Sequence, residues 1–454
     1  MGNEKKSRGS FTGGIGFVLA AAGSAVGLGN LWRFPYLAAQ YGGGIFILVY
    51  IIIALTFGFA LLSTEIAIGR KTGKSPLLAY GAVDKRFGFL GILASLVPVI
   101  ILPYYCIIGG WVIKYMVSFV SGGAGAAAGE AYFGGFIGDT WPPLLFFAIF
   151  LGLTAAVILL GVNKGIEKLS KFLMPVLLLM CVGISIYVLT IPGAMDGLKY
   201  YLLPDFSKFS LTTVCAATGQ VFFSMSIAMG IMVAYGSYTK PDTNLSKSVN
   251  QIEIFDTVVA ILAGLMVVPA VYVFSGEAGT KSSGAGLMFQ TLPKVFEQMP
   301  GGAIIGAVFF IMVFFAALTS SISVMEAIVS SIIDKFHVKR WVAVLICLAI
   351  TVAMGIPISL GFGVWSNFTI LGMDLLTFFD YLSNSVLMPI VALITCILIG
   401  WVVGPEYVTT EMTRNGERLS RKTLYNVIIK FIAPIMLVLI LVTYSLAQFG
   451  IIVM

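Results

Sequence analysis

Histidine occurs once in this chain, at His337, which excludes a metal centre built on histidines. Cysteine occurs five times, at Cys106, Cys181, Cys215, Cys347 and Cys396, always inside an apolar segment and never as a close CxxC pair. A disulfide framework is therefore not expected, and buried thiols are. Charge is also scarce: 10% of the 454 residues are Asp, Glu, Lys or Arg, where a soluble domain has about a quarter. Against that, 59% are hydrophobic and the mean hydropathy is +1.02. No aqueous globule of this size hides so much apolar surface behind so few charges. The solvent for most of the chain must be lipid, which excludes soluble enzymes, disordered scaffolds and secreted disulfide modules. A porin-like barrel is excluded too, since its strands alternate over about ten residues while the apolar runs here are unbroken for far longer.

A helix needs about twenty apolar residues to cross the hydrocarbon. Eleven stretches qualify, near 13–39, 44–69, 88–120, 143–161, 167–191, 212–237, 251–275, 302–333, 339–359, 370–403 and 424–450. Several exceed a single crossing, which implies tilt or interruption. Only Ile451 to Met454 follow the eleventh, so a twelfth is not expected. Lys5, Lys6 and Arg8 ahead of the first stretch imitate a signal peptide, but that stretch is too long and holds Arg33 and Pro35. It reads as a retained first span.

The net charge of +7 need not mean nucleic acid, because membrane proteins gather Lys and Arg on one side of the bilayer. With the N-terminus inside, 21 of the 27 basic residues fall in cytoplasmic segments, and the loop from Ser121 to Pro142 on the other side has none. The expected orientation is N-terminus cytoplasmic and C-terminus outside.

Two spans resist being continuous. The first carries Gly23-Ser24-Ala25-Val26-Gly27-Leu28-Gly29-Asn30 at its middle, three glycines and a polar amide. Close helix packing through small residues is the plain alternative. The sixth carries Gln220-Val221-Phe222-Phe223-Ser224-Met225-Ser226-Ile227-Ala228-Met229-Gly230, with two serines and a glycine in an apolar run. An odd number of spans per repeat turns the second copy upside down, and matched interruptions in inverted halves point to a transporter with backbone groups open near the midplane. Freed carbonyls bind a cation and a half-helix N-terminus receives an anion. The third and eighth spans, matching in the two halves, carry Tyr104-Tyr105 and Thr319-Ser320-Ser321. Such hydroxyls either bond their own helix or line a cavity. Arg33, Glu65, Asp256 and Asp380 lie within or near apolar spans, where a central charge costs roughly 2.5–3.5 kcal/mol and demands a partner or a cavity. Glu65 either serves transport or bonds the open backbone of the first span, while Asp256 is an interfacial group, a proton carrier or an ion ligand.

The run Gly23 to Pro35 resembles the first-helix signature of the neurotransmitter:sodium symporter family. Glu65 with Gly69-Arg70, Tyr104-Tyr105, the stretch Gln220 to Gly230, and Ala316-Ala317-Leu318-Thr319-Ser320-Ser321 agree in order along the whole chain. Eleven spans resemble a bacterial subgroup that carries hydrophobic and aromatic amino acids. The resemblance implies an all-α polytopic membrane protein with a LeuT-type inverted repeat of five plus five helices and one additional helix. Its parts would be a cytoplasmic segment 1–12, a first repeat 13–191, a second, inverted repeat 192–403, and a loop with the last helix, 404–454.

The same resemblance implies two sodium ions. One would lie among the Ala25 carbonyl, Asn30, Ser224, Asp256 and the substrate carboxylate; the other among the carbonyls of Gly23, Val26 and Ala316 and the hydroxyls of Thr319 and Ser320. Relatives often have Asn at the position of Asp256 and use chloride nearby, so an acid there implies no chloride requirement through charge balance. Substrate contacts would come from Ala25, Tyr105, Phe223 and Ser226, with Ile101, Phe223, Met229, Ser321 and Val324 around its side chain. Gly27 stands where carriers of monoamines have aspartate, which favours a zwitterion, and the pliable Met229 favours large side chains. Arg33 and Asp380 would form the outer gate with Phe223 as lid; Arg8 and Asp334, near Tyr238, would form the inner one. Phe11 and Glu326 depart from the family's tryptophan and glutamine. Gly165 and Pro175 resemble a motif that lets the fifth helix unwind during sodium release; a simple proline kink is the alternative.

The expectation is a sodium-coupled symporter importing neutral, hydrophobic or aromatic L-amino acids across a bacterial inner membrane, with no covalent chemistry and no nucleic-acid partner. The rivals are a sodium-dependent sensor, a carrier of small amines, a passive channel, and proton coupling through Asp256 or Glu65. A membrane enzyme lacks any nucleophile–base constellation.

Overall fold

The computed structural model describes residues 9–280 and 284–448. All eleven expected spans are helical. Nine are long and apolar enough to cross a membrane as single helices among the described residues, and Gly14–Ala25 with Gly29–Gln40 makes a tenth, bent by 48°. The remaining one, the sixth, is the pair Leu211–Ser224 and Ile231–Ser237, each too short to cross alone. The others run Gly44–Thr72, Lys85–Val120, Trp141–Leu159, Val162–Leu189, Leu245–Gly276, Gly302–Phe336, Arg340–Leu360, Leu375–Val402 and Lys422–Gln448. Short helices that hydropathy did not mark, among them Pro76–Val83, Ala194–Leu202, Leu292–Gln298 and Glu406–Met412, cover the ends. Their few apolar residues bury one face and form no twenty-residue run.

Both breaks follow from local chemistry. The first half of span 1 stops at Ala25, since Val26 leaves helical geometry with ψ 90, and the chain resumes as a wide π turn over Gly29–Arg33. Three glycines weaken helix across this stretch. Span 6 stops at Ser224, and Ser226, Ala228 and Gly230 take positive φ of 54, 62 and 70°. A left-handed Ser and Ala cost about 1–2 kcal/mol each, so neighbours must hold them. Glu65 is one such neighbour, because its Oε1 accepts the Ala228 N–H at 2.6 Å. The sequence placed Glu65 against the break in span 1; the bond is to the break in span 6, which the fold brings past span 2.

Span 2 meets the second half of span 6 backbone to backbone through Gly69 and Gly236. A Cβ at Gly69 would run into the Val233 carbonyl, and one at Gly236 into that of Ile66. Small residues replace the hydrophobic effect as the source of close packing in lipid. Spans 3 and 8 lie along each other, and the first half of span 1 packs between spans 5, 7 and 8. The two breaks thus meet in the middle of the bundle.

Candidate functional site

Asp256 of span 7 lies fully buried beside the first break and makes no ion pair within 4.0 Å among the described residues. Neutral donors surround its carboxylate: Asn30 Nδ2 at 2.8 Å, the Tyr50 hydroxyl at 2.9 Å and the Ser224 hydroxyl at 3.1 Å. Asn30 also donates to the Asp256 carbonyl at 3.1 Å, and Tyr50 and Ser224 touch at 3.1 Å. With its NH2 so engaged, Asn30 presents its Oδ1 to no donor, although that atom is buried. Gln220 repeats the pattern: Nε2 donates to the Gly29 carbonyl at 2.8 Å and Oε1 is left over. A buried carboxylate with no cationic partner and unused acceptor oxygens beside it is a donor set suited to a hard monovalent cation. Of the residues expected at the first sodium, Asn30, Ser224 and Asp256 are bonded together, and Ala25 lies at the adjoining break. Tyr50 was missed, because one tyrosine in the run Ile45–Ile53 gives no sign in sequence of facing inward.

The second expected cluster contains no carboxylate. Ser320 bridges from span 8 to span 1, its hydroxyl donating to the carbonyls of Ser24 at 3.0 Å and Gly23 at 3.4 Å. The Thr319 hydroxyl donates to Phe315 and Ala316 carbonyls at 3.0 and 3.1 Å. Gly23 lies against both Thr319 and Met174, with a Cβ built there 3.3 and 3.1 Å from them. Gly23, Ala316, Thr319 and Ser320 therefore converge, with Val26 at the adjacent end of the half-helix. Every oxygen here is neutral.

Between the clusters is a narrow cavity of about 20 Å³, lined by Ala25, Gly27, Ile101, Tyr105, Phe223, Ser226, Met229 and Val324 among others. Ser321 does not line it. Its hydroxyl turns away to the Leu318 carbonyl at 2.9 Å and to Thr154 of span 4 at 2.8 Å, and the hydroxyl that faces the cavity is Ser320. Consecutive helical residues point about 100° apart, so the run of three hydroxyls divides between two faces. The Tyr105 hydroxyl accepts from the Leu28 N–H at 3.4 Å. Gly27 lies so close that a Cβ would strike the Ser320 hydroxyl and come within 3.0 Å of that of Tyr105.

Toward the Arg33 end, a second cavity of about 190 Å³ opens above Phe223, walled by Trp32, Arg33, Tyr104, Ile108, Thr377 and Asp380. Arg33 and Asp380 face this space without forming an ion pair within 4.0 Å. The Arg33 guanidinium lies 5.5 Å from the Phe223 ring centre, and Asp380 takes a hydrogen bond from Asn384 at 2.6 Å. The expected outer pair is thus apart.

The opposite end is shut. Phe11 is 1% exposed, wedged against Phe17, Tyr235 and Tyr238 at ring distances of 5.7, 5.6 and 6.3 Å. Its N–H bonds the Tyr238 carbonyl at 3.1 Å. The Tyr238 hydroxyl bonds Glu326 at 2.6 Å, and Arg340 forms an ion pair with Glu326. Asp334 accepts the Ser75 N–H at 2.8 Å. Arg8 lies outside the described residues. The Tyr238 hydroxyl thus meets the buried Glu326, which pairs with Arg340, a residue only the fold brings near. Glu167 adds a clasp at the start of span 5, accepting the Thr12 N–H at 2.8 Å, the Thr12 hydroxyl, and Lys171 at 2.6 Å.

Residues 8–124 and 140–452 match the family described as the sodium:neurotransmitter symporter family. The chain is 34% identical, over 94% of its length and 95% of the relative's, to the uncharacterized sodium-dependent transporter YhdH of Bacillus subtilis (strain 168). It is 31% identical to an uncharacterized sodium-dependent transporter of Haemophilus influenzae, over 98% of this chain and 99% of that one. The crystal structure of MhsT in complex with L-phenylalanine superposes with a TM-score of 0.87 at 33% identity, covering 96% of this chain and all of the other.

Proposed function

Because this chain belongs to the sodium:neurotransmitter symporter family, and so is a sodium-dependent, multi-pass membrane transporter rather than an enzyme, we propose that it imports neutral, hydrophobic or aromatic L-amino acids with two sodium ions, by alternating access and without chloride. The observation that carries this reading is the Asp256–Asn30–Ser224 cluster beside the two broken helices. Asp256 contributes the negative charge that a cation in lipid needs, so no external anion is required. Asn30 Oδ1 and the Ala25 carbonyl complete the ligands, and the substrate carboxylate joins them. The second ion is held by neutral oxygens alone at Gly23, Val26, Ala316, Thr319 and Ser320, an arrangement suited to an ion that must leave.

The substrate class rests on Gly27. Gly27, beside the Ser320 and Tyr105 hydroxyls, offers no acidic side chain to receive a lone amine. The ammonium is left to backbone carbonyls at Ala25, Phe223 and Ser226, and the site then calls for an α-carboxylate at Tyr105 and the first sodium. Met229 and Val324 make the side-chain end apolar and adaptable. The MhsT structure, solved with L-phenylalanine, supports a pocket of this kind. Residues 13–191 and 192–403 are the two inverted repeats, and 404–454 supply the loop and the helix outside them. Arg33, Asp380 and Phe223 gate the outer side; Asp334 and Tyr238, with Arg8, gate the cytoplasmic side. The N-terminus faces the cytoplasm, in a bacterial inner membrane. Each inward sodium contributes its chemical gradient and about 2.3 kcal/mol per 100 mV of membrane potential. Sodium biases the outward-open state, and substrate permits closure by binding the closed state better.

Radiolabelled uptake into proteoliposomes tests this. Phenylalanine, leucine and alanine are compared with sodium or potassium outside, with and without chloride. Sodium-driven, chloride-indifferent accumulation of the larger amino acids is expected. Asp256→Asn should weaken sodium activation about tenfold or more, a loss of about 1.4 kcal/mol, and make uptake respond to chloride. Sodium-dependent binding without accumulation would mark a sensor instead, and chloride dependence of the unaltered protein would remove the role given to Asp256.

A further inference from the structure

Asn384 plays no part in the reading above, yet it bonds Asp380 and lines both cavities that Arg33 lines. It lies in span 10 within the π turn Tyr381–Leu387, which begins immediately after Asp380. A π turn adds a residue to the helical ring and re-aims the side chains it contains, and such turns collect at functional positions. Here Asn384 Nδ2 donates to Asp380 Oδ1 at 2.6 Å and to the Tyr104 hydroxyl at 3.2 Å. A carboxylate only accepts, so the amide is fixed with its NH2 toward Asp380. Its Oδ1 is then forced the other way, where it is buried and accepts from no group. Asn384 lines both the large cavity that contains Asp380 and a smaller one that contains Arg33 and Tyr444. Arg33 lines both of these cavities too, so a residue with an unused acceptor shares them with a guanidinium that forms no ion pair with Asp380 within 4.0 Å.

The resting place of Arg33 is equally specific. Tyr444 of span 11 shares the smaller cavity with it, the phenol facing the guanidinium within electrostatic reach. That phenol is seated on Gly219 of span 6, so near that a Cβ would come within 2.5 Å of the hydroxyl. Phe223 lies beneath the cation. The helix outside the repeat therefore forms part of the resting place of Arg33, which Tyr36 lines from the large cavity.

We propose that the outer gate is a relay of three residues, Arg33–Asn384–Asp380, in which Asn384 is a positioning residue. On closure the Arg33 guanidinium leaves Tyr444 and donates to Asn384 Oδ1, while Asn384 Nδ2 keeps its bond to Asp380. The amide joins cation to carboxylate across a gap that a direct pair does not span. This rests on the reading of Arg33 and Asp380 as the outer gate, and it adds a residue to that gate.

The test uses the full-length protein in proteoliposomes with Ile108, in the cavity wall, replaced by cysteine. The five native cysteines are buried, so a membrane-impermeant thiol reagent reports on that position. Sodium alone should expose it, and sodium with L-phenylalanine should protect it. Asn384→Leu keeps the branched outline but removes both hydrogen bonds, and should reduce the protection about fivefold while leaving the response to sodium alone intact. Asn384→Gln, which retains the amide, should restore it. In an Arg33→Ala background Asn384→Leu should change protection less than about twofold, since the two act as one unit. Protection near that of the unaltered protein in Asn384→Leu, or a loss undiminished in Arg33→Ala, would overturn the relay. If Asn384→Leu loses the sodium response through misfolding, Asn384→Gln decides: protection retained supports the relay and protection lost overturns it. Absence of any sodium response in the unaltered protein would instead sink the transport reading itself.

Discussion

The two ends of this molecule are held by different chemistry. At the Phe11 end four carboxylates are nearly or wholly buried, and each has a cation. Glu326 has Arg340, Glu411 has Arg70 at 2.6 Å, Glu253 has Arg421 at 2.7 Å, and Glu167 has Lys171 at 2.6 Å. The arginines reach further still, Arg70 to the Thr243 carbonyl at 2.6 Å and Arg421 over the Phe59 ring at 3.6 Å. At the Arg33 end Arg33 and Asp380 form no ion pair with each other within 4.0 Å, and the bonds there include Asn384 to Asp380 at 2.6 Å and Tyr104 to Ser383 at 3.2 Å. Hydrogen bonds to charged groups contribute about 1.5–3 kcal/mol against about 1 for neutral ones. The inner end is therefore the more heavily bonded of the two.

That contrast is open to being broken, beginning where the effect is largest. Arg340→Ala strands Glu326 in the protein interior, and removing one partner of a buried pair costs about 3–5 kcal/mol, less here because Arg340 is 25% exposed. Hydrogen exchange at the Phe11 amide, which bonds the Tyr238 carbonyl, should accelerate by well over tenfold. Exchange unchanged by this variant would mean that aromatic packing around Phe11, not the ion pair, closes the inner end. Glu167→Gln keeps the shape of the Thr12 clasp but loses its charge, a difference of about 1 kcal/mol. The Thr12 amide should exchange about fivefold faster, and sodium release should quicken if that clasp restrains the unwinding of span 5. Smallest is Tyr444→Phe at the outer end, worth about 0.5–1 kcal/mol. Freed from the phenol, Arg33 should cross more readily, so that half-maximal binding of L-phenylalanine falls two- to fourfold in concentration. A larger effect at Tyr444 than at Arg340 would reverse the comparison.

Much of this was legible without coordinates. Eleven apolar runs, two of them interrupted by glycine and serine, are enough to specify a bundle with paired breaks, because lipid tolerates few alternatives. Asn30, Ser224 and Asp256 were recognisable as one group through a motif, and the fold does bring them together. Ser321 was misplaced because three adjacent hydroxyls offer no clue to their angle about the helix, and only packing against Thr154 settles which of them turns away. For Glu65 the structural reading pointed to the break in span 1, and the close contact of Gly69 with span 6 brings its carboxylate to the other break instead. Tyr50 and Arg340 escaped notice for a related reason: their partners lie 206 and 14 residues away, beyond any local pattern.

Composition and periodicity by themselves determined the solvent, the number of spans and the places where helix had to fail, since each depends on the cost of exposing polar backbone to hydrocarbon over a short stretch of chain. Which end is shut, which hydroxyl faces the cavity, and that Asn384, with an acceptor to spare, shares its cavities with Arg33 were decided only by tertiary structure. Those outcomes depend on the rotation of one helix against another, and a rotation of that kind is set by packing among residues far apart in sequence.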